Sequence, residues 1–384
     1  MMSGVRIFRL LTGALAIAVT ATLATAGPIT AAHAADQATL VISGPSATVT
    51  HGHPLTISGR LTTDTPTADT PVPAAPVDLQ SRPVGGAWTT VDTKPTDGQG
   101  NVVFTHAADR TADWRLLHTA DATAGEAVSA TIRVSVRAAL TAAWTRAAVR
   151  LKHRAKLHGT VAPAGTSVRL EKLKSGSWTL VRNLPVSASG TFHTKVRGKA
   201  PGFKSYRIVR SATSANVSAT ATLPRLDVYR LHTYIVRTRG HIVANVTKFA
   251  TSAAETYADP RGWLRGHHRF KRVSTGGDFT LLLAQARYLP TYSSVCSTLY
   301  SCRVGRNVII NQSRWRHSSV HFTGSRATYR QMVVNHETGH WLGRPHAFCS
   351  GPGKLAPVMQ QQSKGLQGCL PNAWPLAREI AAVA

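Results

Sequence analysis

The chain has 384 residues and carries 45 Lys/Arg against 17 Asp/Glu, a formal net charge of +28. That length allows two or three domains, each able to bury its own core. The N-terminal apolar run is followed by no second apolar span, so no further membrane-spanning helix is expected. The basic residues, scattered as in Arg265-Gly266-His267-His268-Arg269-Phe270-Lys271-Arg272, form no nucleic-acid motif. On an exported chain, a charge this positive predicts attraction to anionic cell-envelope polymers or acidic substrates.

Arg6 and Arg9 precede an apolar run from Leu10 to about Ala26, and Ala32-His33-Ala34 follows as a small-x-small cleavage pattern. Residues 1–34 are therefore expected to be a signal peptide rather than an uncleaved anchor, leaving a secreted or envelope-associated monomer with no membrane span.

Residues 36–224 hold a diverged repeat of roughly ninety residues. Val77-Asp78-Leu79-Gln80 recurs as Val168-Arg169-Leu170-Glu171, and Ala87-Trp88-Thr89-Thr90-Val91 as Ser177-Trp178-Thr179-Leu180-Val181. Trp114-Arg115-Leu116-Leu117 recurs as Tyr206-Arg207-Ile208-Val209. Short alternating strands rich in Val and Thr, broken by Gly, Pro, Asp and Ser, read as two β-sandwiches over 35–137 and 138–224. They resemble bacterial Ig-like surface modules, without the inter-sheet disulfide. Trp88 and Trp178 are expected in the cores, with sugar stacking as the other reading, and Thr62 to Pro76 as a flexible loop.

From residue 225 the pattern turns α+β. Leu231 to Val236, Phe270 to Val273 and Phe279 to Leu283 read as strands. Ile242, Val246, Phe249, Ala253 and Tyr257 share one helix face, with Pro260 beyond its end. All four cysteines lie here, and an even count in an exported chain predicts two disulfides, Cys296 with Cys302 and Cys349 with Cys369. No CxxC spacing supports a four-cysteine zinc site instead.

The chemistry centres on His336-Glu337-Thr338-Gly339-His340-Trp341-Leu342-Gly343-Arg344-Pro345-His346. Tyr329, Met332 and Val333 stand at helical spacing before it, so His336 and His340, four apart, project from one helix face. Two such imidazoles hold one side of a Zn²⁺ ion, and Glu337 is placed to take a proton from its bound water. Gly343 ends the helix by entering the left-handed conformation, and the turn brings back His346 as third ligand. The fourth position stays open, as in catalytic rather than structural zinc sites.

H-E-x-x-H-x-x-G-x-x-H resembles the metzincin group of zinc metallopeptidases. That resemblance implies a zincin-like domain over 225–384 and a methionine-containing turn beneath the metal. Met359, in Ala356-Pro357-Val358-Met359-Gln360, fills that place; Gln361 stands where some metzincins have a tyrosine ligand. It also implies an edge strand that pairs with extended substrate above the zinc, assigned to Val308, Ile309, Ile310 and Asn311. Ala258-Asp259-Pro260-Arg261-Gly262-Trp263, Val333-Val334-Asn335-His336-Glu337 and Pro357-Val358-Met359-Gln360-Gln361-Gln362 further resemble a secreted actinobacterial family of unknown function with a zincin-like C-terminal domain. The expected function is a secreted zinc metalloendopeptidase acting on peptide or protein substrates, with Glu337 as general base. The alternatives are an envelope-binding Ig-like protein with an inactive zincin domain, or a zinc hydrolase of cell-wall cross-links.

Overall fold

The computed structural model describes residues 37–64 and 68–383; the expected signal peptide lies outside the described residues. The described chain is mostly strand, in several sheets, and its α-helices fall within the last 140 or so residues. No helix among the described residues is long and apolar enough to cross a membrane.

Alternation builds the first unit. Along Pro54–Asp64, Leu55, Ile57 and Leu61 point inward while Pro54, Thr56 and Arg60 face solvent. This strand pairs with Ala38–Ser43, Asp69–Pro71 and Asn101–Ala107. A second sheet joins Pro76–Pro83, Thr89–Pro95, Ala112–His118 and Ile132–Val134. The inner faces of both sheets share one core, with Leu61 and Phe104 from one sheet and Val77, Leu79 and Leu116 from the other.

Residues 138–224 repeat the plan, with Leu157, Val161, Leu170 and Ile208 in the core. The two units even share a turn. Gly100 and Gly190 both have φ +76, and a Cβ there would stand 2.4 Å from the carbonyl oxygen of Leu61 or Val161. Only glycine fits.

Two expectations for these units are corrected. Thr62 to Pro76 is no loop throughout: Thr62–Asp64 pairs with Asp69–Pro71, and Val72 enters the core. Threonine's strand preference prevails there, with Pro71 on a sheet edge. Trp88 and Trp178 are half-buried rather than core residues. Arg82 and Arg115 lie 4.6 and 4.4 Å from the Trp88 ring, and Arg207 lies 4.5 Å from Trp178, so guanidinium groups cover the indoles instead.

The strand expected over Leu231–Val236 runs from Leu226 to Arg239. Its first part pairs with Ala148–Arg150 and Gly202–Lys204, and Leu226 and Val228 belong to the second unit's core. Its second part pairs in parallel with His268–Arg272 and Phe279–Ala284. The sheet continues through Asn307–Asn311 to an antiparallel edge, Cys302–Val304. Helices α1 (Val246–Ala258) and α3 (Arg326–Trp341) contribute Phe249, Tyr257, Tyr329 and Val333 to the core shared with this sheet. Ile242 precedes α1 rather than sharing its face, because the Asn245 side chain accepts from the Lys248 N–H at 2.8 Å and starts the helix there. A short α2 (Gln312–His317) and a C-terminal α4 (Ala377–Ala381) complete the set.

The edge-strand assignment is also corrected. Val308, Ile309, Ile310 and Asn311 are fully buried and pair with Leu281–Ala284, and Val308 and Ile309 also pair on the other side with Arg303 and Cys302. A short hairpin through Gly305 (φ +53) folds Cys302–Val304 over them, so that segment is the edge. Both expected disulfides are formed, Cys296–Cys302 and Cys349–Cys369.

Because Leu226 and Val228 lose their core partners without the second unit, residues 225–384 alone should be less stable than residues 138–384. The expected difference in urea unfolding is at least about 2 kcal/mol; coincident midpoints and slopes would contradict the shared core.

Candidate metal centre

Ser325 starts α3 by accepting the Thr328 N–H at 3.1 Å. The helix buries Tyr329, Met332, Val333, His336 and Glu337. Its end follows the Schellman pattern: Gly343 N–H bonds the His340 carbonyl at 3.1 Å and Arg344 N–H the Gly339 carbonyl at 2.9 Å. Gly343 takes φ +87, the left-handed conformation expected of it, and the chain reverses to bring His346 beside the helix.

The three Nε2 atoms converge. His340 Nε2 lies 3.1 Å from those of both His336 and His346. His336 Nδ1 stands 2.8 Å from the Val358 carbonyl, and His340 Nδ1 2.8 Å from the Arg344 carbonyl. Carbonyl oxygens only accept, so both Nδ1 atoms carry the proton and both Nε2 atoms present lone pairs. Two lone pairs facing each other repel; a cation relieves this. Nitrogens about 2.0–2.1 Å from one tetrahedral ion stand roughly 3.3–3.4 Å apart, close to the spacing here. The donor set fits a divalent ion that prefers neutral imidazole.

Burial, reinforced by the neighbouring imidazole, depresses His336 to about 3. Burial holds His340 at about 4, and His346 is also lowered, mainly by burial. Glu337 is buried and its Oε2 has no hydrogen-bond partner. Burial pushes its carboxyl up to about 8, against the pull of Arg303. A cavity of about 420 Å³ joins the three histidines and Glu337 to the edge residues Cys302 and Arg303.

Met359 lies against the helix between the first two histidines. A Cβ on Gly339 would meet Met359 Sδ at 2.3 Å and the Trp263 ring at 2.8 Å, so glycine at this position lets the methionine close on the helix. Cys349–Cys369 closes the loop that contains it.

Sequence reasoning missed three contributors. Glu379 on α4 is buried and accepts the N–H groups of Val358 at 3.1 Å and Met359 at 2.8 Å, fixing the turn whose carbonyl orients His336. It is one of only six acids in residues 225–384, which was its one visible signal. Arg303 reaches the His340 carbonyl at 2.7 Å. Trp263 donates Nε1–H to the Asn335 carbonyl at 3.1 Å. Their roles depend on contacts distant in sequence, as does the replacement of Val308–Asn311 by Cys302–Val304 as the edge.

Residues 206–372 match the model of a family described as a protein of unknown function (DUF3152). No curated protein matches the chain. Among solved structures, a superoxide reductase (neelaredoxin) from Ignicoccus hospitalis is similar at 14% identity and TM-score 0.21, over 26% of this chain and 80% of that one. A tetra-tandem repeat in the extending region of a large adhesion protein is similar at 16% identity and TM-score 0.24, over 50% of this chain and 49% of that one. Neither likeness is close enough to bear on the site.

Two outcomes follow from the packing and the charge states. Gly339→Ala should cost about 1–3 kcal/mol by overpacking against Met359 and Trp263, measured by denaturant unfolding; an unchanged midpoint would contradict that contact. The lowered histidines stay unprotonated well below their ordinary range. Affinity for a divalent metal ion should therefore hold down to about pH 6 and fall as pH drops toward 4. Chelator competition across that range checks this, and loss of affinity already at neutral pH would contradict it.

Proposed function

We propose that residues 225–384 form a metzincin-like, zincin-type peptidase that uses zinc to hydrolyse peptide bonds in exported or envelope-associated substrates, joined to two Ig-like modules. The observation that carries this reading is the meeting of three imidazole Nε2 atoms, two of them fixed as lone-pair donors, in the same cavity as an unpartnered buried carboxylate.

His336, His340 and His346 would hold the ion. Zinc bound there supplies Lewis acidity, acidifying a water and polarising a scissile carbonyl. Glu337 accepts the proton released by the attacking water and passes it to the leaving amine. Its environment favours both directions of transfer: burial raises the affinity of the carboxylate for a proton, and a neighbouring cation lowers it. Val358 and Arg344 carbonyls hold two ligands in the required tautomer. The edge strand Cys302–Val304, pinned by Cys296–Cys302, offers backbone hydrogen bonds to an extended peptide beside the cavity.

The test compares the full chain with Glu337→Gln and His346→Ala, measuring bound zinc, casein cleavage and release from purified cell wall. The natural chain should hold one zinc and cleave. Glu337→Gln should keep the zinc and lose roughly 10²–10⁴ in rate, while His346→Ala should lose metal. Zinc in the natural chain without cleavage of either substrate would favour the binding reading. Absence of zinc from the folded natural chain would sink the proposal.

A further inference from the structure

The second two-sheet unit carries a charge that its twin lacks. Residues 138–224 hold 15 Lys/Arg and a single acid, Glu171, whereas residues 37–137 hold 7 Lys/Arg and nine acids. Glu171 is itself engaged by Arg169 and Arg207. A general bias toward arginine would have touched both units alike.

Part of the excess is organised on one strand pair. Arg154–Ala162 and Thr191–Arg197 run antiparallel, with Arg154 opposite Arg197, Lys156 opposite Lys195 and His158 opposite His193. All six side chains are exposed, alternating with inward-facing positions such as Ala155, Leu157, Val196 and Phe192. None takes part in an ion pair among the described residues. Like charges directly opposite one another destabilise a sheet. The fold does not ask for them: the matching strands of the first unit pair Pro54 with Ala107, Thr56 with Thr105 and Ser58 with Val103. At the open end of this ladder, Lys152, held at φ +69, and His153 join Arg154, Lys156, Lys195 and Arg197 around a shallow concavity lined wholly by basic side chains.

We propose that this ladder binds a linear, non-nucleic polyanion laid along the strands, independently of any chemistry at the metal centre. Side chains on one face recur every second residue, about 6.8 Å apart, so two rows of cations face a chain whose anionic groups repeat along its backbone. The neighbouring strand Ala139–Trp144 sets Ala143 beside His158 and Thr141 beside Thr160, small residues that leave the flank clear. Single-stranded nucleic acid is held by aromatic platforms interleaved with cations. The outward positions of these two strands hold no Trp, Tyr or Phe. The two disulfides also fit an oxidising compartment, where anionic envelope polymers are met.

The experiment uses the full chain and poly(glycerol phosphate) as probe, across a range of salt concentrations. Arg154→Thr/Lys156→Thr/Lys195→Thr/Arg197→Thr removes the ladder. Lys248→Gln/Arg272→Gln/Arg316→Gln/Lys354→Gln removes equal charge from exposed positions elsewhere. The ladder variant should bind at least about tenfold more weakly, with a shallower salt dependence, while the control changes by less than about twofold. Its melting temperature should be equal or higher, since repelling pairs are gone; if the quadruple variant fails to fold, Lys156→Thr/Lys195→Thr is read the same way. Equal losses in both variants, or none in the ladder variant, would overturn the assignment. Tighter, ladder-dependent binding of an oligothymidylate with the same number of phosphates would overturn the non-nucleic class.

Discussion

At 2.8 Å, the hydrogen bond from His336 Nδ1 to the Val358 carbonyl joins two stretches of chain twenty-two residues apart and fixes the tautomer of this imidazole. It also sets the height of the segment below the helix, because Val358 and Met359 give their N–H groups to the buried Glu379 carboxylate. From that segment, Met359 presses on Gly339, where a Cβ would meet its Sδ at 2.3 Å. A carboxylate, two amides, a carbonyl and an imidazole thus form one chain of hydrogen bonds from the C-terminal helix to the first of the three converging imidazoles. Such networks gain from being complete and lose disproportionately when one member is missing.

What could be read in the sequence was local. His336, His340 and Gly343 act within two turns of helix and its termination, so spacing and glycine's conformational freedom were enough to place them. The cysteine pairs were legible because each is near in sequence. The alternating strands of the first two units follow from period-two patterning, and the buried strand Asn307–Asn311 announced itself as an apolar run. That run could not reveal which side would be left open. Strand order is a tertiary property, and the edge passed to Cys302–Val304, a segment too short and polar to read as a strand. Trp88 and Trp178 misled for a related reason: a large indole predicts burial, and only the fold shows that arginines from other strands of the same sheet supply the cover. Glu379 lies 42 positions beyond Glu337, and no pattern in the intervening residues links the two.

The strand Leu226–Arg239 has a consequence for how the cleft is presented. Fourteen residues of continuous strand lie in the second unit's core at one end and in the sheet beside α3 at the other. No glycine or proline interrupts it. A peptide tether of that length would let a cleft sweep out a volume; a paired strand resists bending and fixes an angle. The chain therefore acts here as a bracket rather than a leash, and wherever the second unit is held, the cleft's orientation and reach are set with it.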